Sequence, residues 1–155
     1  MDLIIRIDDR LIHGQVTAGW VRPLGIEQII LANDKVANDE WERELYTLAV
    51  PSEISVQIFT INEVILFLKN KQNDKKTIIL INSLQDALKI IESDTDIVKL
   101  NIGGLHFENG KKQFTAYIFL SNEDINYAKR IIAHGVSLEG YEIPGSPKVI
   151  INNLI

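Results

Sequence analysis

The chain has 155 residues, 46% hydrophobic and 24% charged, the size and composition of one globular domain, which excludes wholesale disorder. A formal net charge of −5 and a pI near 5.2 argue against nonspecific nucleic-acid binding, which needs a basic field to displace counterions. The absence of cysteine removes any disulfide framework, thiolate metal site or cysteine nucleophile and fits a reducing compartment.

The opening MDLIIRIDD reaches acids without a basic region before a long apolar core, so it does not read as a signal peptide. No apolar run approaches the roughly twenty residues that span a bilayer. Residues 3–7 (LIIRI) predict a first strand, and Val16, Trp20 and Leu24 predict a helix starting near Gly14. Residues 27–32 (EQIILA) predict a second strand, followed by a stripe at Trp41, Leu45, Leu48 and Ala49. Both tryptophans fall on such stripes and are expected in the core. Residues 54–59 predict a third strand, and Ile61, Ile65 and Leu68 a helix with Thr60 and Glu63 at the spacing of a capping box. The pattern repeats with a strand at 77–82, a stripe at Leu84, Leu88 and Ile91, and strands at 97–102 and 115–120. A last helix carries Ile125, Ala128 and Ile132, with Ser121 and Asp124 at its start and Gly135 placed as its C-terminal glycine. His134 there would complement the helix dipole.

Near-continuous apolar strands alternating with amphipathic helices imply right-handed βαβ units and strands covered on both faces. The expected fold is α/β: one domain over residues 1–155, a doubly wound, mainly parallel central sheet with helices on both faces. The tail VSLEGYEIPGSPKVI adds one or two extended segments, an antiparallel edge near the C-terminus where Pro144 and Pro147 are tolerated.

In such sheets, sites form at the carboxyl ends of strands near a reversal of winding. The segment DDRLIHG (8–14) stands at that place. His13 would lie at a helix N-terminus, whose unpaired N–H groups favour anions. The dipole alone contributes only about 0.3–1 kcal/mol when exposed. A charge-assisted contact from Arg10 would contribute about 1.5–3 kcal/mol, so Arg10 matters more. Either Asp8 or Asp9 can bond one imidazole nitrogen and leave the other lone pair to attack, with Gly14 and Gln15 orienting the loop or binding phosphate. Taken singly, each of these residues reads as turn chemistry; together on one loop they point to phosphate handling. Asn33 and Asp34, after the second strand, and Gly103 and Gly104, read as following the fifth, are candidates to line the same crevice. For the glycines a tight turn is the plainer expectation, and His106 reads as a loop residue ahead of an accessory ligand. The three histidines have no metal-ligand spacing, and neither a Walker motif nor a G-x-G-x-x-G fingerprint is present. No cofactor is expected.

RIDDRLIHGQV, with ANDKVANDEW, NIGGL and HGVSLEGYEIP in order after it, resembles the enzyme IIB component of the mannose/fructose/sorbose family of the bacterial phosphoenolpyruvate:sugar phosphotransferase system. The resemblance spans nearly the whole chain and rests most on the first motif. It implies an α/β domain in which His13 accepts a phosphoryl group from phospho-IIA, on Nδ1, and passes it to a sugar held by the membrane components IIC and IID. Arg10 would assist transfer. It also implies a cytoplasmic protein, peripheral to the inner face of the membrane through IIC and IID, with no nucleic-acid partner; a homo-oligomer is compatible. Leu11 and Ile12 would either form part of the IIA-binding surface or be buried to anchor the loop.

Two other classes compete. A non-enzymatic anion-binding α/β module would use Arg10 and the NIGG loop without forming phosphohistidine. A receiver-like signalling domain would explain Asp8 and Asp9, but it needs an aspartate after the third strand and a lysine after the fifth. Thr60 and the Asn101–glycine stretch stand there instead.

Overall fold

The computed structural model describes all residues, 1–155. Seven strands form the main sheet in the order β3-β2-β4-β1-β5-β8-β9. They are β1 (Leu3–Asp8), β2 (Gln28–Ala32), β3 (Ser55–Phe59), β4 (Thr77–Ile81), β5 (Lys99–Gly104), β8 (Ser137–Gly140) and β9 (Val149–Ile150). Every pairing is parallel except β8 with β9, which makes the expected antiparallel edge. From β1 the chain winds out to β2 and β3, returns through β4, crosses over β1 to β5 and continues to β8. The winding therefore reverses around β1, the strand that delivers the acidic loop.

Alternation of side chains across β2 and β4 builds two cores from the same strands. Ile30, Ala32, Ile79 and Ile81 pack on one face with residues of α4 (Ile61–Asn70), α5 (Leu84–Ile91) and α6 (Asn122–Ala133). Ile29, Leu31, Ile78 and Leu80 pack on the other with Val16, Trp20 and Val21 of α1. Helix α1 covers residues 14–24, with Thr17–Val21 wound as a π-helical turn, and ends at Gly25 in the left-handed region at φ +62°. Both expected capping boxes form, at Thr60 with Glu63 and at Ser121 with Asp124. Gly135 takes φ +84° beyond His134, the C-cap of α6. No helix is long and apolar enough to cross a membrane.

Three expectations change. Residues 115–120 are not one strand of the main sheet. They span the turn of a separate hairpin of β6 (Lys112–Thr115) and β7 (Ile118–Leu120), which meets the end of β5 through a Leu105–Ile118 bridge. Ile118 and Leu120 are buried there without belonging to the main sheet, so their apolarity carried no information about which sheet they join. Trp41 is not core. After the short α2 (Asp34–Ala37), α3 (Glu40–Leu48) turns its Glu42–Tyr46 side inward and leaves Trp41 68% exposed, with Leu45 and Leu48 also outward. Gly103 and Gly104 lie inside β5 rather than in a turn after it.

Candidate functional site

Strand periodicity puts Arg6 and Asp8 on one face of β1, and the register places Arg6 beside Asn101 and Asp8 beside Gly104 of β5. Both charged side chains are fully buried. The Arg6 guanidinium donates to Asn101 Oδ1 (2.7 Å), Asp8 Oδ2 (3.1 Å), Gln15 Oε1 (3.0 Å) and the Tyr141 carbonyl (3.3 Å). It also lies 4.9 Å from the centroid of Trp20, a cation–π contact. Burial pulls the Arg6 pKa below its ordinary value despite the charge and hydrogen bond of Asp8.

Gly103 exists for this arginine. A β-carbon there would sit 1.8 Å from Arg6 Cζ, so only a residue without one leaves room for the guanidinium. Gly104 is less constrained, with 3.4 Å to His106 Cε1 and 3.5 Å to Asp8 Oδ1.

Asp8 is the hub. Its Oδ2 accepts from His13 Nε2 at 2.8 Å as well as from Arg6, and its Oδ1 accepts the Arg10 backbone N–H at 3.1 Å, with Arg10 Nε 3.6 Å away. Burial pushes the Asp8 carboxyl up. The His13 hydrogen bond, the Arg10 N–H and the charges of His13 and Arg6 outweigh burial and hold it below its ordinary 3.8. An ionised carboxylate only accepts, so the neutral His13 ring carries its proton on Nε2 and its Nδ1 lone pair is left without that partner. His13 is the N-cap residue of α1, extended at φ −154°, and its side chain caps nothing. The imidazole is therefore tied only through Nε2 to Asp8 and is 16% exposed.

The loop is fixed from below. Leu11 and Ile12 are buried, which makes them anchors rather than exposed surface. Leu11 holds the left-handed region at φ +57°, and its N–H donates to the Asp8 carbonyl at 3.0 Å. A leucine persists in that conformation only where packing over-determines it.

The two acids divide their labour. Asp8 takes His13, while Asp9 accepts from the His106 backbone N–H at Oδ2 (2.7 Å) and bonds His106 Nδ1 through Oδ1 (2.6 Å). His106, expected as a loop residue, joins the site's edge. Arg10, with its side chain about half exposed, stands beside Asp8, and Gln15 receives Arg6. Asn33 and Asp34 are engaged elsewhere: Asn33 caps α2 through the Val36 N–H (3.0 Å), and Asp34 Oδ1 accepts from the Ile61 N–H (2.8 Å). β4 separates their strand from β1, so the structure gives them capping work rather than contacts with the His13 loop.

Sequence reasoning missed Arg6. The signal was present: a lone arginine inside an apolar strand, two residues before an aspartate, shares its face and must find a partner if buried.

Buried carboxylate, oriented imidazole and an exposed guanidinium suit a nucleophile that meets an anionic electrophile. A model of the family described as PTS system sorbose subfamily IIB component matches residues 3–155. The chain is 35% identical to the sorbose-specific EIIB component of Klebsiella pneumoniae, over 94% of this chain and 90% of that one. It is 30% identical to the mannose-specific EIIAB component of Escherichia coli K12, over 98% of this chain but only 47% of that longer protein. The crystal structure of an N-acetyl-galactosamine IIB component from Streptococcus pyogenes superposes with a TM-score of 0.91 at 29% identity, covering 100% of this chain and 98% of that one.

Proposed function

This chain belongs to the sorbose subfamily of phosphotransferase-system IIB components, which are phosphotransfer domains, and from that premise we propose that His13 carries the phosphoryl group in transit. The observation that carries the reading is the 2.8 Å bond between His13 Nε2 and the buried Asp8, which leaves Nδ1 as the nucleophile. The donor is a phosphohistidine of a IIA component; the mannose-specific relative, named EIIAB, supports that pairing. The P–N bond of the donor breaks as a P–Nδ1 bond forms on His13. In the second step the P–Nδ1 bond breaks, a P–O bond forms to a sugar hydroxyl, and the hydroxyl proton leaves to a base or solvent. The sugar is held by IIC and IID, so the protein works at the inner face of the membrane from the cytoplasm. The sugar meets this domain only through the phosphoryl group, which puts sugar selectivity in the membrane components.

Phosphoryl transfer passes through a loose, anionic transition state, so catalysis is positioning and charge stabilisation. Arg10 supplies the mobile positive charge, and the first-turn N–H groups of Gly14 and Gln15 add weaker donors. Asp8 fixes the tautomer and stabilises the positive charge that develops on the ring as Nδ1 attacks. Arg6, held under Gly103, keeps Asp8 in place.

The test is transfer from labelled phosphoenolpyruvate through the general carriers and a IIA component. Acid-labile, base-stable label on the native chain that is absent from His13→Ala is expected. Label that persists in His13→Ala, or none on the native chain, refutes the relay.

A further inference from the structure

Two imidazole–carboxylate pairs stand at the carboxyl ends of neighbouring strands. The proposed relay uses His13 with Asp8 at the end of β1. The second pair, His106 with Asp9, joins the segment after β5 to the same loop. Asp9 accepts both the backbone N–H and the ring Nδ1 of His106, so the residue is held at two points and its ring at one. An accepting carboxylate places the Nδ1 proton and leaves Nε2 as the free nitrogen, the reverse of His13. The ring is half exposed.

Its location matters as much as its orientation. A single point over Gly104 lies 3.4 Å from His106 Cε1, the carbon beside Nε2, and 3.5 Å from Asp8 Oδ1. Arg10 Nε lies 3.6 Å from that same Oδ1. The His106 ring and Asp8 Oδ1 thus border the same space over Gly104; Arg10 stands beside that oxygen, and Oδ2 holds Arg6 and His13.

Building on the relay through His13, we infer that His106, oriented by Asp9, is a second charge donor of the phosphoryl-transfer site. In its protonated form the Nε2–H hydrogen-bonds an oxygen of the phosphoryl group arriving at or leaving His13 and is not consumed. The charged groups at His106 are Asp9, bonded to it, and Asp8, which borders the same space over Gly104; Arg10 and His13 join through Asp8. Protonation turns an imidazole into a cationic donor, so the ring's contribution grows as pH falls. The relay would then run faster, relative to a chain lacking the ring, as pH falls.

Phosphoramidate tests this without a protein partner. Its P–N bond breaks, a P–Nδ1 bond forms on His13, and ammonia departs with its proton; the rate is followed by site-resolved mass spectrometry. His106→Gln keeps the backbone clamp but cannot carry the charge, and His106→Lys carries it permanently. Comparing each variant with the native chain at the same pH cancels the pH dependence of the phosphoryl donor. Losing a charge-assisted hydrogen bond is worth about a tenfold slowing. His106→Gln is expected to phosphorylate His13 about tenfold more slowly than the native chain at pH 5.5 and at a similar rate at pH 8.5. His106→Lys should stay near the native pH 5.5 rate at that pH and exceed the native rate at pH 8.5. A His106→Gln ratio that is flat across pH, or phosphoryl groups accumulating on His106, would overturn the inference while leaving the relay intact. No phosphorylation of His13 by this donor or by phospho-IIA would overturn the relay, and this inference with it.

Discussion

At the scale of single residues, the site is organised by what cannot be there. The Arg6 guanidinium fills the space over Gly103 so closely that a β-carbon would fall 1.8 Å from Cζ and 2.0 Å from an amino nitrogen. The arginine has nowhere to go, because Asn101, Asp8, Gln15 and Tyr141 hold it and no part of it reaches solvent. Overpacking a filled core costs about 1–3 kcal/mol, and breaking a buried ion pair about 3–5 kcal/mol. Gly103→Ala forces one or both. Its neighbour is a built-in control, since a β-carbon on Gly104 meets nothing closer than 3.4 Å. Urea unfolding should therefore show Gly103→Ala destabilised by about 3 kcal/mol or more and Gly104→Ala changed by less than about 1 kcal/mol. Equal losses at the two positions would mean that general strand propensity, not the arginine, dictates glycine here.

At the scale of elements, helices that bury a face and helices that do not should depend on their caps differently. α4 buries Ile61, Val64 and Leu68, so its capping box adds to packing that already holds it. α3 is nine residues long, buries no residue and begins at Asp39, whose carboxylate accepts the N–H groups of Trp41 and Glu42. Helices of that length are marginal without packing. Asp39→Ala should raise hydrogen exchange across Glu40–Leu48 selectively, with the global unfolding midpoint nearly unchanged. Thr60→Ala should instead lower global stability by about 1 kcal/mol. Uniform exchange across the domain in Asp39→Ala would show that α3 opens only with the whole fold. The same contrast explains what the sequence made legible. Runs such as TIILI could be read as strands because both faces are covered, and the caps could be read because they are local chemistry. The stripe Trp41–Leu45–Leu48 has the period of a buried face, but whether another element covers it is a tertiary fact. His13, Asp8 and Arg10 share one loop and were legible together. Arg6–Gly103 and Asp9–His106 join segments about a hundred residues apart, and only the β1–β5 register brings them into contact.

At the scale of the whole molecule, the site inherits rigidity from a sheet whose two cores cannot be separated. Ile29 and Ile30, like Ile78 and Ile79, are adjacent on one strand yet belong to opposite cores. Melting either face would expose the backs of strands that the other face still needs. The site sits at the carboxyl end of β1, between β4 and β5 and away from both sheet edges, so it should open only when the sheet does. The two tryptophans make this measurable. Trp20 is buried in the α1-side core and donates its indole N–H to the Glu142 carbonyl at 2.8 Å, whereas Trp41 is exposed on α3. In Trp41→Phe, fluorescence reports Trp20 and hence one face alone, while far-ultraviolet circular dichroism reports helices on both. The expected result is a single urea transition with coincident midpoints by the two probes, as cooperative unfolding requires. A Trp20 transition that precedes the loss of helix would mean that the α1 face, with the Asp8–Gly14 loop at its edge, melts as a separate unit. The charge network around Asp8 would then be held by a layer less stable than the sheet beneath it.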